Sequence, residues 1–112
     1  MRDLALGRMK TGSMNKSEAE YATILEAQKN AGFIKWYRFE GIKLRLADNT
    51  FYTPDFVLMN DSNIIECHEV KGFWRDDAKV KIKIAAEMYP FKFLAVLKQA
   101  KKRGGGWKSE EF

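Results

Sequence analysis

Between Ile64 and Lys71 the chain alternates. Ile65, Cys67, Glu69 and Lys71 form one set of positions, and Glu66, His68 and Val70 form the other. Successive strand side chains point to opposite faces, so this is read as a strand with two chemically different faces. A second alternation sets Ile42, Leu44 and Leu46 against Lys43 and Arg45, as in a half-buried strand with a basic outer face. Ala47-Asp48-Asn49-Thr50 reads as a turn into Phe51-Tyr52, which makes a hairpin. Phe33 to Phe39 is rich in aromatic and β-branched residues and is separated from that hairpin by Glu40-Gly41. Phe56 to Met59 is apolar and stops at the turn Asn60-Asp61-Ser62-Asn63, and Phe91 to Leu97 reads as a further, buried strand.

Two stretches take the helical period instead. Asn15 and Glu18 form a capping-box pair, the helix-forming run continues to Ala31, and Gly32 closes it. At about 100° per residue, Tyr21, Ile24, Leu25, Gln28 and Ala31 share a side. Residues 77–89 alternate locally at Val80 to Ile84, but Ala85-Ala86-Glu87-Met88 and the stop at Tyr89-Pro90 favour a helix. On it, Lys79, Lys83 and Glu87 form a polar stripe. A strand, a helix and a return strand then predict a crossover that covers one face of the sheet.

These elements make one α/β domain with a mixed sheet, over residues 14–97. Residues 1–13 are read as a flexible basic arm or extension, and residues 98–112 as a basic, glycine-rich tail. At 112 residues no second domain is expected, and 46% hydrophobic with 31% charged residues describes a soluble globular chain. The formal charge of +5 suits an anionic partner such as nucleic acid. With one cysteine and one histidine, an intrachain disulfide and a thiolate zinc site are excluded. No run of about 18 apolar residues predicts a membrane span, so the expectation is a cytoplasmic protein without a membrane partner.

The chemistry gathers on Asp55, Glu69 and Lys71. Glu69 and Lys71 share a face, ~7 Å apart along their strand. Asp55 follows Pro54 at the head of the neighbouring apolar run. Magnesium takes oxygen ligands and is usually held by one or two carboxylates, which Asp55 and Glu69 provide, while an ammonium at Lys71 stabilises charge on a phosphate and orients water. His68 points to the opposite face, which assigns it a structural or surface role rather than that of a general base. Cys67, without a histidine on its face, is read as packing.

Pro54-Asp55, a spacer and Glu69-x-Lys71 resemble the core of the PD-(D/E)xK nuclease superfamily, and the likeness spans residues 15–97. It implies a restriction-endonuclease-like α-β-β-β-α-β core. Asn15-Lys16-Ser17-Glu18 looks like the helix that carries a further glutamate in many of these nucleases, including phage and archaeal junction-resolving enzymes. Glu18 therefore has two readings, a cap and a direct or water-mediated third carboxylate. The resemblance further implies the Val70 carbonyl as a ligand, so that Asp55, Glu69, Val70 and Glu18 hold Mg2+, with Mn2+ as a substitute, and Lys71 activates water. More narrowly, Tyr52-x-Pro54-Asp55-Phe56, Glu69-Val70-Lys71-Gly72 and the closing Gly106-Trp107 are similar to a family of small phage and prophage proteins. That similarity implies a phage endonuclease in a bacterial host, acting on duplex or branched DNA such as a Holliday junction, in recombination or packaging, and possible as a homodimer. The alternative is a DNA-binding adaptor without catalysis.

Candidate DNA contacts follow from the basic residues. Lys43 and Arg45 lie on an outer strand face, which serves phosphate or solvent equally well. Arg75 follows the Glu69 strand, and Lys79 and Lys83 either reach the scissile strand or border the core. Lys101, Lys102 and Arg103 precede a glycine run and Trp107, a combination that grips a backbone and stacks on a base, or docks back on the body.

Overall fold

The computed structural model describes residues 13–72 and 76–112. The expected basic arm, except Ser13, lies outside the described residues, as do Arg75 and the side chain of Arg103. Helix α1 (Lys16–Asn30) is followed by strands β1 (Ile34–Phe39), β2 (Leu44–Ala47), β3 (Thr50–Tyr52), β4 (Phe56–Asn60) and β5 (Ile65–Lys71). Helix α2 (Asp76–Met88), strand β6 (Lys92–Lys98), one 3₁₀ turn at Lys101–Arg103 and strand β7 (Trp107–Glu111) complete the order.

Five strands form one mixed sheet in the order β1-β4-β5-β6-β7, and β2 with β3 forms a separate hairpin. Only β5 and β6 run parallel among the described strands, joined through α2 as the strand–helix–strand pattern requires. The expected hairpin and crossover are both present.

The alternation in β5 sorts the core into two layers. Cys67 packs with Leu44, Leu46, Tyr52, Ile82, Ala85 and Phe93 under α2 and the hairpin. On the other face, Val70 packs with Tyr21, Leu25, Ile34, Phe56 and Val96 under α1. Leu25, Phe56, Ile82 and Phe93 are fully buried, and each such side chain contributes about 1.5–3 kcal/mol. Helix α1 starts with the capping box that the sequence predicts: Glu18 N–H donates to Asn15 Oδ1 at 2.8 Å, and Asn15 N–H donates to Glu18 Oε1 at 2.9 Å.

Residues 98–112, read from the sequence as a tail, carry the edge strand β7, antiparallel to β6 from Leu94↔Glu111 to Lys98↔Trp107. Trp107 packs inward, with its ring centroid 5.2 Å from that of Tyr21. This contact is the docking on the body that the sequence allows for this residue.

Candidate active site

The site lies where β4 and β5 begin to part. Their ladder ends at Phe56↔His68, so Asp55 falls opposite Glu69 just beyond the last pair. Asp55 completes the edge with its side chain, since Val70 N–H donates to Asp55 Oδ2 at 2.8 Å. Pro54, fully buried, lacks an N–H and ends the pairing there. Asp55 thus has one oxygen fixed by backbone and stands beside the second carboxylate.

Glu69 is buried at 8% exposure, and both its oxygens are engaged. The Tyr52 hydroxyl donates to Oε1 at 2.7 Å, and Lys71 Nζ stands 3.1 Å from Oε2. Glu69 and Lys71 therefore share a face as the alternation predicts. A cleft of about 270 Å³ opens beside them, lined by Phe51, Tyr52, Thr53, Glu69, Asp77 and Lys81.

The electrostatics of this corner are unfavourable to a second negative charge. Burial, and then the charge of Glu69, push the Asp55 carboxyl up to about 8, against the opposing pull of the Val70 amide; Glu18 adds to the rise and Lys71 opposes it. Burial together with Glu69 also raises the Tyr52 phenol. Cys67 next door is buried and pushed up to about 12, which leaves it an inert thiol.

Glu18 is close enough to act on Asp55 by its charge, while its carboxylate is held in the helix cap. Among the described residues no three His, Cys, Asp or Glu side chains stand together as a ready metal cage. The donor set nevertheless fits a hard cation. Among the described residues two carboxylates share this corner with one ammonium, Lys71, in direct contact, and magnesium usually keeps several waters and takes only one or two carboxylates. A divalent ion in this corner would be held by Asp55 and Glu69.

Two site residues were not singled out by the sequence reading. Tyr52 stood in the quoted motif only as a neighbour, and it is the group that anchors Glu69. Glu40 was read as a break between strands. It lies opposite Asp55, its N–H donates to the Asp55 carbonyl at 2.7 Å, and its backbone is left-handed at φ 49°. Burial, followed by the charges of Glu18 and Glu69, raises its carboxyl. Gly41 is required just after it, since a Cβ there would stand 2.7 Å from Arg38 Cβ and 2.8 Å from Val57 Cγ1. The available signal was a carboxylate one residue beyond a strand end, directly before glycine.

The basic residues are spread over several surfaces. Lys43 and Arg45 point outward from the hairpin, and Lys43 Nζ sits 4.5 Å from the centroid of the Phe51 ring. Lys79 pairs with Glu110 at 3.6 Å, which ties α2 to β7. Lys83 is exposed on α2, and Lys101 and Lys102 are exposed on the 3₁₀ turn. Lys83 and Glu87 of the expected polar stripe are exposed with Lys79 half-buried, and the neighbouring row Val80, Ile84 and Met88 is exposed as well.

The other face of β5 holds a closed network. His68 Nε2 lies 2.8 Å from Glu66 Oε1, Asn60 donates to Glu66 Oε2 at 2.7 Å, and the Tyr21 hydroxyl lies 2.6 Å from His68 Nδ1. An ionised carboxylate only accepts, so Nε2 carries a proton toward Glu66. This matches a structural role for His68. Compared with known proteins, the chain matches no family model, no curated protein and no solved structure.

Proposed function

We propose that this chain is a metal-dependent phosphodiester hydrolase. More narrowly, it is a DNA endonuclease with a PD-(D/E)xK core, of phage type and suited to branched or duplex DNA. One observation carries the reading: Asp55, fixed by the Val70 amide at 2.8 Å, stands opposite the buried Glu69, which Lys71 contacts at 3.1 Å. Two carboxylates beside an ammonium, with Glu69 lining a cleft, are an arrangement for a divalent cation and a phosphate. The order of elements supports it too, with a glutamate on the first helix, Asp55 at the head of β4, Glu69 and Lys71 on β5, and a helical crossover to a parallel strand.

In this mechanism Mg2+, or Mn2+ in its place, supplies charge neutralisation at the phosphate and a more acidic water. Asp55 and Glu69 hold the ion. Tyr52 keeps the Glu69 carboxylate oriented through the 2.7 Å hydrogen bond. The Val70 amide fixes Asp55, and the family's use of the Val70 carbonyl belongs to the same proposal. Lys71 places positive charge where the phosphate gathers negative charge, and orients the attacking water. Glu18 acts from the helix cap as a further negative group and reaches the ion through water.

The test is cleavage of a panel of four-way junction, flap, duplex, nicked duplex and single-stranded DNA, with magnesium and with chelator. Metal-dependent products that disappear in Asp55→Ala are the expected result. Paired symmetric cuts in the junction select a junction-resolving enzyme. DNA binding without cleavage of any substrate replaces this reading with the adaptor.

A further inference from the structure

Register places Lys71, Leu97 and Lys108 in one line across β5, β6 and β7. Residues directly opposite each other share a face, so Lys108 stands on the Glu69 side of the sheet, two strand spacings or roughly 10 Å from Lys71. The packing agrees, because Phe112, just past the end of β7 and four residues on from Lys108, joins the core layer under α2. Beyond the strand ends lies a cleft of about 370 Å³, whose walls include Lys98, Lys102 and Lys108 with Gly72 at its rim. Among the described residues no carboxylate lines it. Lys98 is held by Glu20, whereas among the described residues neither Lys102 nor Lys108 pairs with a carboxylate.

Gly72 adds an independent observation. Its backbone is not left-handed, and among the described residues a Cβ added there would meet no atom within 4 Å. Neither conformation nor packing asks for glycine, and what its missing side chain provides is an open rim where a backbone can approach closely. Lysine on an edge strand also discourages edge-to-edge pairing, but that role requires neither the row with Lys71 nor a cleft shared with Lys102.

We infer that this cleft binds the sugar-phosphate backbone beside the scissile bond, with Lys108 and Lys102 on phosphates a nucleotide or two from the one at Lys71. The inference rests on the nuclease reading for the place of the scissile phosphate. It makes β7 part of the substrate channel.

The experiment measures binding of a synthetic duplex with a single-stranded overhang, against salt and without divalent ions, by the Asp55→Ala protein. Lys102→Glu and Lys108→Glu are introduced into it singly and together. Each is expected to weaken binding several-fold and to reduce the slope of log K against log salt by about 0.7–0.9, with Lys108→Gln giving a smaller loss in the same direction. Lys92→Glu, at the opposite end of β6, is the charge-matched control and should leave the slope unchanged. Unchanged slopes at both positions, an equal effect from Lys92→Glu, or no measurable binding by the parent protein would overturn the inference. A failure of the nuclease reading looks different: the wild-type protein cuts nothing with magnesium, while the two lysine effects on binding remain.

Discussion

Strand β5 buries a carboxylate-bearing network on each of its faces, and the two are treated in opposite ways. On the α1 side Glu66 accepts from His68 and from Asn60, and His68 in turn meets Tyr21. The His68 hydrogen bond, assisted by Asn60, holds the Glu66 carboxyl below its ordinary range despite burial. On the α2 side Asp55 has a backbone amide and a carboxylate neighbour, and is pushed up to about 8. Only two residues, Cys67 and His68, separate Glu66 from Glu69 in a single strand. A buried polar network that is closed stabilises one conformation, whereas one with surplus like charge stores a demand for a ligand. The first side therefore reads as architecture and the second as chemistry.

The largest effect expected from breaking this contrast is at Lys71. Lys71→Ala should lower cleavage by about a hundredfold or more while leaving DNA affinity nearly intact, because the lost interaction acts on developing charge. Single-turnover rates beside binding isotherms check it, and retained rates would remove Lys71 from its assigned role.

Next comes the closed side. Glu66→Gln leaves His68 or Asn60 without its proper acceptor and should cost about 1–3 kcal/mol in urea unfolding at pH 7. Since Glu66 is held below its ordinary value, its contribution is present above that value and is lost as pH falls through the folded one. The gap between variant and wild type should therefore close in acid. A gap independent of pH would mean that packing, not charge, is what Glu66 supplies.

The open side has the opposite sign. Asp55 binds its proton more tightly folded than unfolded, so in the metal-depleted protein its contribution is full below the ordinary carboxyl range and declines as pH rises toward about 8. The slope is at most about 1.4 kcal/mol per pH unit. Asp55→Asn keeps an oxygen for the Val70 amide and removes the charge. At pH 8 without metal it should be more stable than wild type, by about 1–2 kcal/mol, with the decline gone. Equal stability profiles would show that the two carboxylates do not oppose each other.

Much of this contrast was legible in the chain. The alternation from Ile65 to Lys71 separates the two faces, because a half-buried strand has a fixed period of two. The capping box at Asn15 and Glu18 is local chemistry, and it formed as read. What was not legible depends on distant partners. Glu40 is in the site because register sets it against Asp55 and Gly41 allows the chain to turn tightly, neither of which has a periodic signature. Trp107-Lys108-Ser109-Glu110-Glu111 has few apolar residues and becomes strand through its ladder with β6. Tertiary pairing, rather than intrinsic propensity, decides such edge segments.

The most direct measurement of the central claim is calorimetric titration of the metal-free protein with Mg2+ at pH 7, in buffers of different ionisation enthalpy, to count protons released. Asp55 holds its proton at that pH in the unliganded protein and must lose it to bind an ion. The account predicts saturable binding with close to one proton expelled per ion, and loss of both in Asp55→Asn. Binding unchanged in the variant would contradict the assignment of Asp55 and Glu69 as the seat of the metal, and binding with no proton release would contradict the raised Asp55 carboxyl.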